Sequence, residues 1–333
     1  MLAEFDLIRR YFMSSQEAAV ASNGVTLGCG DDATLLVPTA GHHLAVSVDT
    51  SVVNVHFPRE APAFAVGHRA LAVALSDLAA MGAVSRWCLM ALTFDQRQFA
   101  DDDAAHLWLA DYARGFHALS QQHATTLAGG DVTSGELAIG VTVMGEVPVG
   151  EALTRGGAQA GDLLAVTGAL GGGAGGLALW KKGERDLAHP LLRRYLLPEP
   201  RLAAGLALRG LASAALDISD GLLADLAHLR EASQLGAEIT LDALPLADEL
   251  ESTLGRRAAL QAALSGGDDY ELLVTLNADN LAKAQQHLAS LGLTLTVIGR
   301  CREALGVSAS DQCDLSGYVK GYAGWQHFSG EAP

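Results

Sequence analysis

The sequence predicts a two-domain α/β protein with α+β layering, on three observations. Apolar segments of strand length alternate with longer amphipathic segments along most of the chain, a pattern that builds sheets covered by helices. At 333 residues the chain is long enough for two domains of ordinary size. The stretch VPVGEALTRGGAQAGD is rich in turn chemistry and marks a boundary near residue 150, giving an N-terminal domain of 1–149 and a C-terminal domain of 150–333.

In chain order, residues 3–13 read as a short amphipathic helix and 43–49 as a strand. Residues 61–81 read as a long, mostly buried helix stopped by Gly82, 86–94 as a strand and 102–122 as a helix. Residues 136–147 alternate with period two and read as a long strand. In the second half, DLLAVTG (162–168) is a predicted strand, and GLALWKKG (176–183) begins a helix. PRLAAGLALRGL (200–211) is a helix with Pro200 in its first turn, where a missing N–H costs nothing. SAALDI (213–218) is a strand, followed by a helix over 221–236 for which Asp220 is a candidate cap. Strands are predicted at 237–241, 270–276 and 294–300, with a helix over 278–292. There is no low-complexity segment and no repeat period.

Composition bounds the function. Half the residues are hydrophobic and only 5% are aromatic, so the cores should be mostly Ala, Leu and Val. A formal charge of −16 argues against nucleic acid or an anionic membrane surface as the main partner. It does not exclude an anionic substrate, because a bound metal inverts the local field. The N-terminal segment carries Glu4 and Asp6 where a signal peptide would be basic and then apolar. The longest apolar stretch, 61–84, contains His68, Arg69 and Asp77 and is not a membrane span. Cys29, Cys88, Cys301 and Cys313 show no CxxC spacing, so they are expected to be reduced and mostly buried, in a soluble cytoplasmic protein.

Six aspartates stand out: Asp49 and Asp217 directly follow apolar runs, Asp77 follows one after Ser76, Asp131 and Asp220 sit beside glycine, and Asp32 lies in the GCGDDA segment. Buried and unpaired, they would be costly, and the four lysines, Lys181, Lys182, Lys283 and Lys320, are too few to pair them. Hard divalent cations bind carboxylate oxygens and often bring phosphate with them. Singly, Asp32 and Asp131 also suit turns and Asp220 a helix cap, since Asp is favoured there. Together they repeat one device, and Asp77, on the apolar run AVALSDLAAMGA, has no obvious structural use. The expectation is a magnesium–phosphate site assembled from distant loops, with Arg155 in LTRGG as a phosphate fork.

Two nucleotide signatures are absent or weak. No GxxxxGK[ST] occurs, which argues against a P-loop. Gly171, Gly173 and Gly176 satisfy GxGxxG, but the acidic residue expected about 20 residues further on is missing. Close strand–helix packing explains these glycines better than a dinucleotide.

GDDA (30–33), SVDTSVVNVHF (47–57), ALSDLAAMGA (74–83) and GGDVTSG (129–135) resemble, in that order, segments of the thiamine-monophosphate kinase family. So do LTRGGAQAGDLLAVTGALG (153–171), DISDGLLADLAH (217–228), SGGDDYEL (265–272) and GWQHF (324–328), extending the resemblance over residues 4–328. The wider superfamily includes aminoimidazole-ribonucleotide synthetase, selenophosphate synthetase and a hydrogenase-maturation protein. The resemblance implies ATP-dependent phosphorylation of thiamine monophosphate to thiamine diphosphate, with ATP as co-substrate and several Mg2+ ions. It places magnesium ligands on Asp32, Ser47, Asp49, Asp77, Asp131, Asp217 and Asp220, with a backbone contribution near Val48. Nucleotide contacts fall on Gly130, Asp131, Arg155 and Ser219, and thiamine-side contacts on His56, Asp268 and Trp325, with Tyr322 as the alternative alignment to Trp325. Asp49, Asp131 and Arg155 are the residues expected to act on the transfer itself. The family often has glutamate where this chain has Asp268. The resemblance also implies a homodimer formed through the N-terminal domain. The rival readings are a selenophosphate synthetase-like enzyme, which would want a lysine before Lys181, and a multi-metal phosphohydrolase.

Overall fold

The computed structural model describes residues 4–13, 23–310 and 315. The chain divides into two compact units, residues 1–78 with 84–149, and residues 79–83 with 150–332. Each is built around one sheet.

In the N-terminal unit a short helix, α1 (Glu4–Leu7), runs into a π-helical turn over Ile8–Met13, so the helix predicted over 3–13 changes its winding midway. A small antiparallel pair follows, β1 (Val25–Leu27) with β2 (Leu35–Leu36). The main sheet has four strands: β3 (His42–Val52), β4 (Val84–Thr93), β5 (Thr126–Thr133) and β6 (Ala138–Pro148), in the order β3-β6-β4-β5. Only β4 and β5 run parallel, and the crossover between them carries α3 (Asp102–Gln122). Asp101 caps α3, accepting from the amide of Ala104 at 2.8 Å, while Asp102 and Asp103 complement the helix dipole.

The other long helix, α2 (Ala63–Ala80), is alanine- and leucine-rich and ends before Gly82, which takes a φ of +61°. α2 is long and apolar enough to cross a membrane by composition, but 78% of it is buried in the protein. It crosses α3 closely: a Cβ on Gly67 would lie 2.0 Å from the carbonyl oxygen of Tyr112, and one on Gly115 1.9 Å from that of Phe64. The two helices can approach this far only through glycine. Tyr112 Oη reaches Met90 Sδ on β4 at 3.1 Å, so α3 lies on the face of the sheet to which Met90 belongs.

The C-terminal unit has a six-stranded sheet: β7 (Leu163–Thr167), β8 (Ala212–Asp217), β9 (Gly236–Ile239), β10 (Leu272–Leu276), β11 (Leu295–Arg302) and β12 (Val307–Ala309). Its order is β12-β9-β11-β7-β10-β8, antiparallel except for β9 with β12. Every residue of β7 and β10 is buried, as expected of central strands reading LLAVT and LLVTL. The helices are α4 (Gly172–Lys181), α5 (Pro190–Leu196), α6 (Leu202–Leu208), α7 (Leu222–Ser233), α8 (Leu250–Leu254), α9 (Arg256–Ser265) and α10 (Ala278–Ser290).

Local expectations fail here at helix starts. α4 begins at Gly172, inside the glycine run, rather than at Gly176, because those glycines pack where side chains cannot. A Cβ on Gly176 would lie 2.2 Å from the carbonyl oxygen of Leu191. Pro200 stands before the cap Arg201 and outside α6; the proline in a first turn is Pro190 of α5. The core is Leu, Ala, Val and Ile, as composition implies. Cys88 and Cys301 are buried and Cys29 is half-buried, all three free, while Cys313 lies outside the described residues.

Candidate active site

In the N-terminal unit, β3 determines which side chains meet. Ser47 and Asp49 are two residues apart and share one face, about 6.7 Å apart along the strand. That face is the helix side, for Ser47 Oγ donates to Asp77 Oδ2 of α2 at 2.5 Å. Asp77 therefore has a partner that the sequence did not reveal. The serine hydrogen is committed to the carboxylate, which leaves the oxygen lone pairs to face a cation. Val48 points the other way and is 65% exposed, so only its carbonyl is a candidate ligand.

The six aspartates do not share one environment. Asp217 is buried, Asp49, Asp77 and Asp220 are half-buried, and Asp32 and Asp131 are exposed. Asp31 Oδ1 accepts the amide of Asp32 at 2.8 Å and so shapes its turn. Asp131 belongs by register to the row Thr50, Gly140, Ala91, whereas Asp49 belongs to the adjacent row with Val141 and Met90. Asp131 thus lies on the opposite face from Asp49, and on the opposite edge strand, about 14 Å away across three strand spacings. Gly130 beside it has a φ of +155°, and a Cβ there would meet the Met90 carbonyl oxygen at 2.0 Å, so only glycine fits. His56, in the turn after β3, accepts the amide of Val52 on Nδ1 at 2.9 Å, which leaves the neutral ring's proton on Nε2.

In the C-terminal unit two predicted motifs lie side by side. The amide of Ile218 donates to the carbonyl of Glu271, that of Asp268 to Ser219, and that of Tyr270 to Ile218, each at 2.8 Å. This zips DISDG to GGDDYEL and brings Ser219 and Asp268 together beside Asp217 and Asp220. Asp220 does not cap α7. The turn is held instead by Asp225 of the first helical turn, whose Oδ2 accepts the amides of Asp220 and Gly221 at 3.1 Å each. Burial, then the negative charges of Asp217 and Asp220, push the Asp225 carboxyl up to about 7. Carboxylates crowded this way suit a cation.

Arg155 lies on an extended segment beside edge strand β8, where the amide of Ala215 donates to the Thr154 carbonyl at 2.9 Å. Ser233 Oγ of α7 donates to the Arg155 carbonyl at 2.9 Å and accepts from the amides of Gly157 and Ala158 at 3.3 Å each. The backbone is thus pinned while the guanidinium stays exposed. Trp325 and Tyr322 lie outside the described residues.

The GxGxxG segment is occupied by the protein itself. Asp269, buried, accepts the amides of Gly171 at 2.7 Å and Gly173 at 3.3 Å, the groups that a pyrophosphate would need. Asp225, Asp269, Tyr270 and Glu271 are structural partners of the site that spacing arguments missed. The signal was the density of acids in GGDDYEL, three in four residues behind two glycines.

Among the described residues, no three His, Cys, Asp or Glu side chains converge to hold a metal by themselves. Magnesium does not require such a cage, since it keeps several waters and takes one or two carboxylates together with substrate phosphates. The donors on hand, carboxylates, a serine hydroxyl and a carbonyl, are all the hard oxygens it prefers.

The chain is similar to known proteins over most of its length. The family models for AIR synthase related protein match over residues 30–147 (N-terminal domain) and 159–311 (C-terminal domain). The thiamine-monophosphate kinase of Escherichia coli (strain K12) is 40% identical over 301 residues, 89% of this chain and 90% of that protein. The crystal structure of thiamine-monophosphate kinase from Stenotrophomonas maltophilia K279a superposes with a TM-score of 0.84 at 44% identity, covering 94% of this chain and 98% of that one. AaThiL complexed with AMPPCP and TMP gives a TM-score of 0.76 at 30% identity, over 88% of this chain and 89% of that one. With both domains matched and the DISDG and GGDDYEL segments interlocked as one surface, this chain belongs to the thiamine-monophosphate kinase family of AIR synthase related proteins.

Proposed function

We propose that this chain transfers the γ-phosphate of ATP directly to the phosphate of thiamine monophosphate, giving thiamine diphosphate, with magnesium as the required cation. The observation that carries this reading is the end-to-end similarity to thiamine-monophosphate kinases, one relative of which is described with AMPPCP and TMP together. The chemistry agrees. A phosphate monoester has its second pKa at about 6, so the acceptor oxygen is already largely anionic at neutral pH and needs no general base. What the reaction needs is in-line approach and relief of repulsion between two anions.

Asp32, Ser47, the Val48 carbonyl, Asp49, Asp77, Asp131, Asp217 and Asp220 are the proposed magnesium ligands. Bound there, magnesium would supply charge neutralisation and orientation of the phosphates. Gly130, Asp131, Arg155 and Ser219 meet the nucleotide, with the exposed Arg155 fork offering paired donors to phosphate oxygens. His56 meets the substrate on the thiamine side, Asp268 sets a negative charge against the thiazolium cation, and Trp325 is the stacking partner for a flat ring.

A homodimer is part of the reading. β3 is an 11-residue edge strand whose outer face exposes Leu44, Val46 and Val48 at 44, 57 and 65%. A long apolar edge of this kind calls for a partner, and a second copy of the same unit supplies a matching one. The protein is assigned to the cytoplasm, where ATP is available.

The test is ADP release with and without thiamine monophosphate and magnesium. Release that depends on both supports the reading, and phosphate release without the acceptor would mark a phosphohydrolase. Asp49→Asn and Asp131→Asn should each lower kcat at least ~100-fold, as loss of a charge-stabilising group does, with circular dichroism unchanged. Near-normal turnover in both would remove the metal-ligand assignment.

A further inference from the structure

Asp268 is half-buried, and the three residues after it, 269–271, are buried. Asp269 and Glu271 turn inward, the first onto the Gly171 and Gly173 amides and the second onto the Arg201 guanidinium. Between and before them, Tyr270 and Asp268 have φ angles of 50° and 68°, the left-handed region that side chains rarely adopt. Each such residue costs on the order of 1–3 kcal/mol and persists only where its surroundings over-determine it. Here they do: the amides of Asp268 and Tyr270 are both bonded to the DISDG turn, and the acids on either side of Tyr270 are anchored in the interior. The outcome of this strained path is specific. It folds the buried Tyr270 ring back, so that its hydroxyl donates to Asp268 Oδ1 at 2.9 Å. A two-residue separation on an ordinary strand would place both side chains on one face without closing that bond.

We infer that Tyr270 is a positioning residue for the acceptor: it holds the Asp268 carboxylate in one rotamer, so that its charge stands preorganised opposite a flat organic cation. The inference rests on the reading of Asp268 as a thiamine-side contact. A hydroxyl in this role acts on the acceptor through Asp268 rather than on ATP, and it matters less for the fold, because the ring packing survives its removal. Preorganisation enters as an ordering cost already met before the substrate arrives.

Steady-state kinetics of the full-length protein test this by a double-mutant cycle. Tyr270→Phe should raise KM for thiamine monophosphate about fivefold, the scale of one hydrogen bond, with KM for ATP within about twofold. In an Asp268→Ala background the same Tyr270→Phe change should add nothing, since coupled residues are not additive. An unchanged KM for thiamine monophosphate in Y270F, or an equal rise in both backgrounds, overturns the inference while leaving Asp268 as a contact. If D268A itself leaves that KM unchanged, the reading of Asp268 fails and the inference fails with it. Should Y270F lose its native circular dichroism, Tyr270→His is the second variant: its shorter ring stops before the carboxylate, and the same KM split is expected, its absence counting against the inference.

Discussion

Replacing Glu271 with glutamine should cost the C-terminal unit about 3–5 kcal/mol, the usual result of breaking a buried ion pair from one side. Glu271 is fully buried immediately before β10. Its carboxylate takes a fork from Arg201, Nε to Oε2 at 2.8 Å and Nη2 to Oε1 at 2.7 Å, a hydroxyl from Thr167 at 2.7 Å, and Arg194 Nη1 at 3.4 Å. Burial alone would depress the Arg201 pKa, but the bonds and charge of Glu271 outweigh it and the net shift is upward. Gly168 packs directly against this carboxylate, where a Cβ would lie 2.1 Å from Oε1. An amide keeps one acceptor and turns two N–H groups toward the donors. At least two charge-assisted bonds are then lost or inverted, each worth about 1.5–3 kcal/mol, which brings the sum into the range stated. Urea unfolding followed by circular dichroism measures the loss, and hydrogen exchange on β7 and β10 assigns it to this sheet. A cost below about 1 kcal/mol, typical of surface positions, would refute the reasoning. The companion Glu271→Met, Arg201→Met should be less destabilised than Glu271→Met alone, since removing both charges leaves neither stranded.

Asp269 predicts a pH dependence. Burial pushes its carboxyl up to about 7 against the opposing pull of the Gly171 and Gly173 amides, from an ordinary value of 3.8. A raised acid pKa means the folded state holds the extra proton, so stability falls as pH rises from about 4 to 7, by up to about 1.4 kcal/mol per pH unit for one such group. Asp225 acts in the same direction, so Asp269→Asn should remove about half of that slope in urea midpoints measured across the range; an unchanged slope would show that Asp269 stays ionised. Val46→Glu with Val48→Glu should convert a dimer to a monomer in sedimentation equilibrium, as charges on an apolar edge strand oppose pairing. A dimer that survives the double change does not use the outer face of β3.

Much of this protein was legible in its sequence. Period-two and helical patterns located most strands and helices, since burial of one face imposes that spacing on the residues themselves. The family was legible from long blocks around DISDG, GGD and LTRGG, and the comparisons bear it out. Sequence also argued against a P-loop and gave weak weight to GxGxxG, for which the Asp269 carboxylate on the Gly171 and Gly173 amides supplies the physical reason.

What sequence could not decide were pairings between residues far apart in the chain, because spacing carries no information about which loops meet. Helix starts shifted where a glycine's value was close packing rather than flexibility, as in α4. Asp220 lost its expected capping role to Asp225, which became visible only once the DISDG turn had a shape. Asp49 and Asp131 looked alike in sequence, each an acid after an apolar run, yet register puts them on opposite faces and opposite edges of one sheet. Residue type determined which chemistry is possible, oxygen ligands and an arginine fork. Only the tertiary structure decided which of those groups stand together: Ser47 with Asp77, Ser219 with Asp268, and Tyr270 folded back onto Asp268. A carboxylate's behaviour is set by its neighbours in space, and those are fixed by strand register and turn geometry.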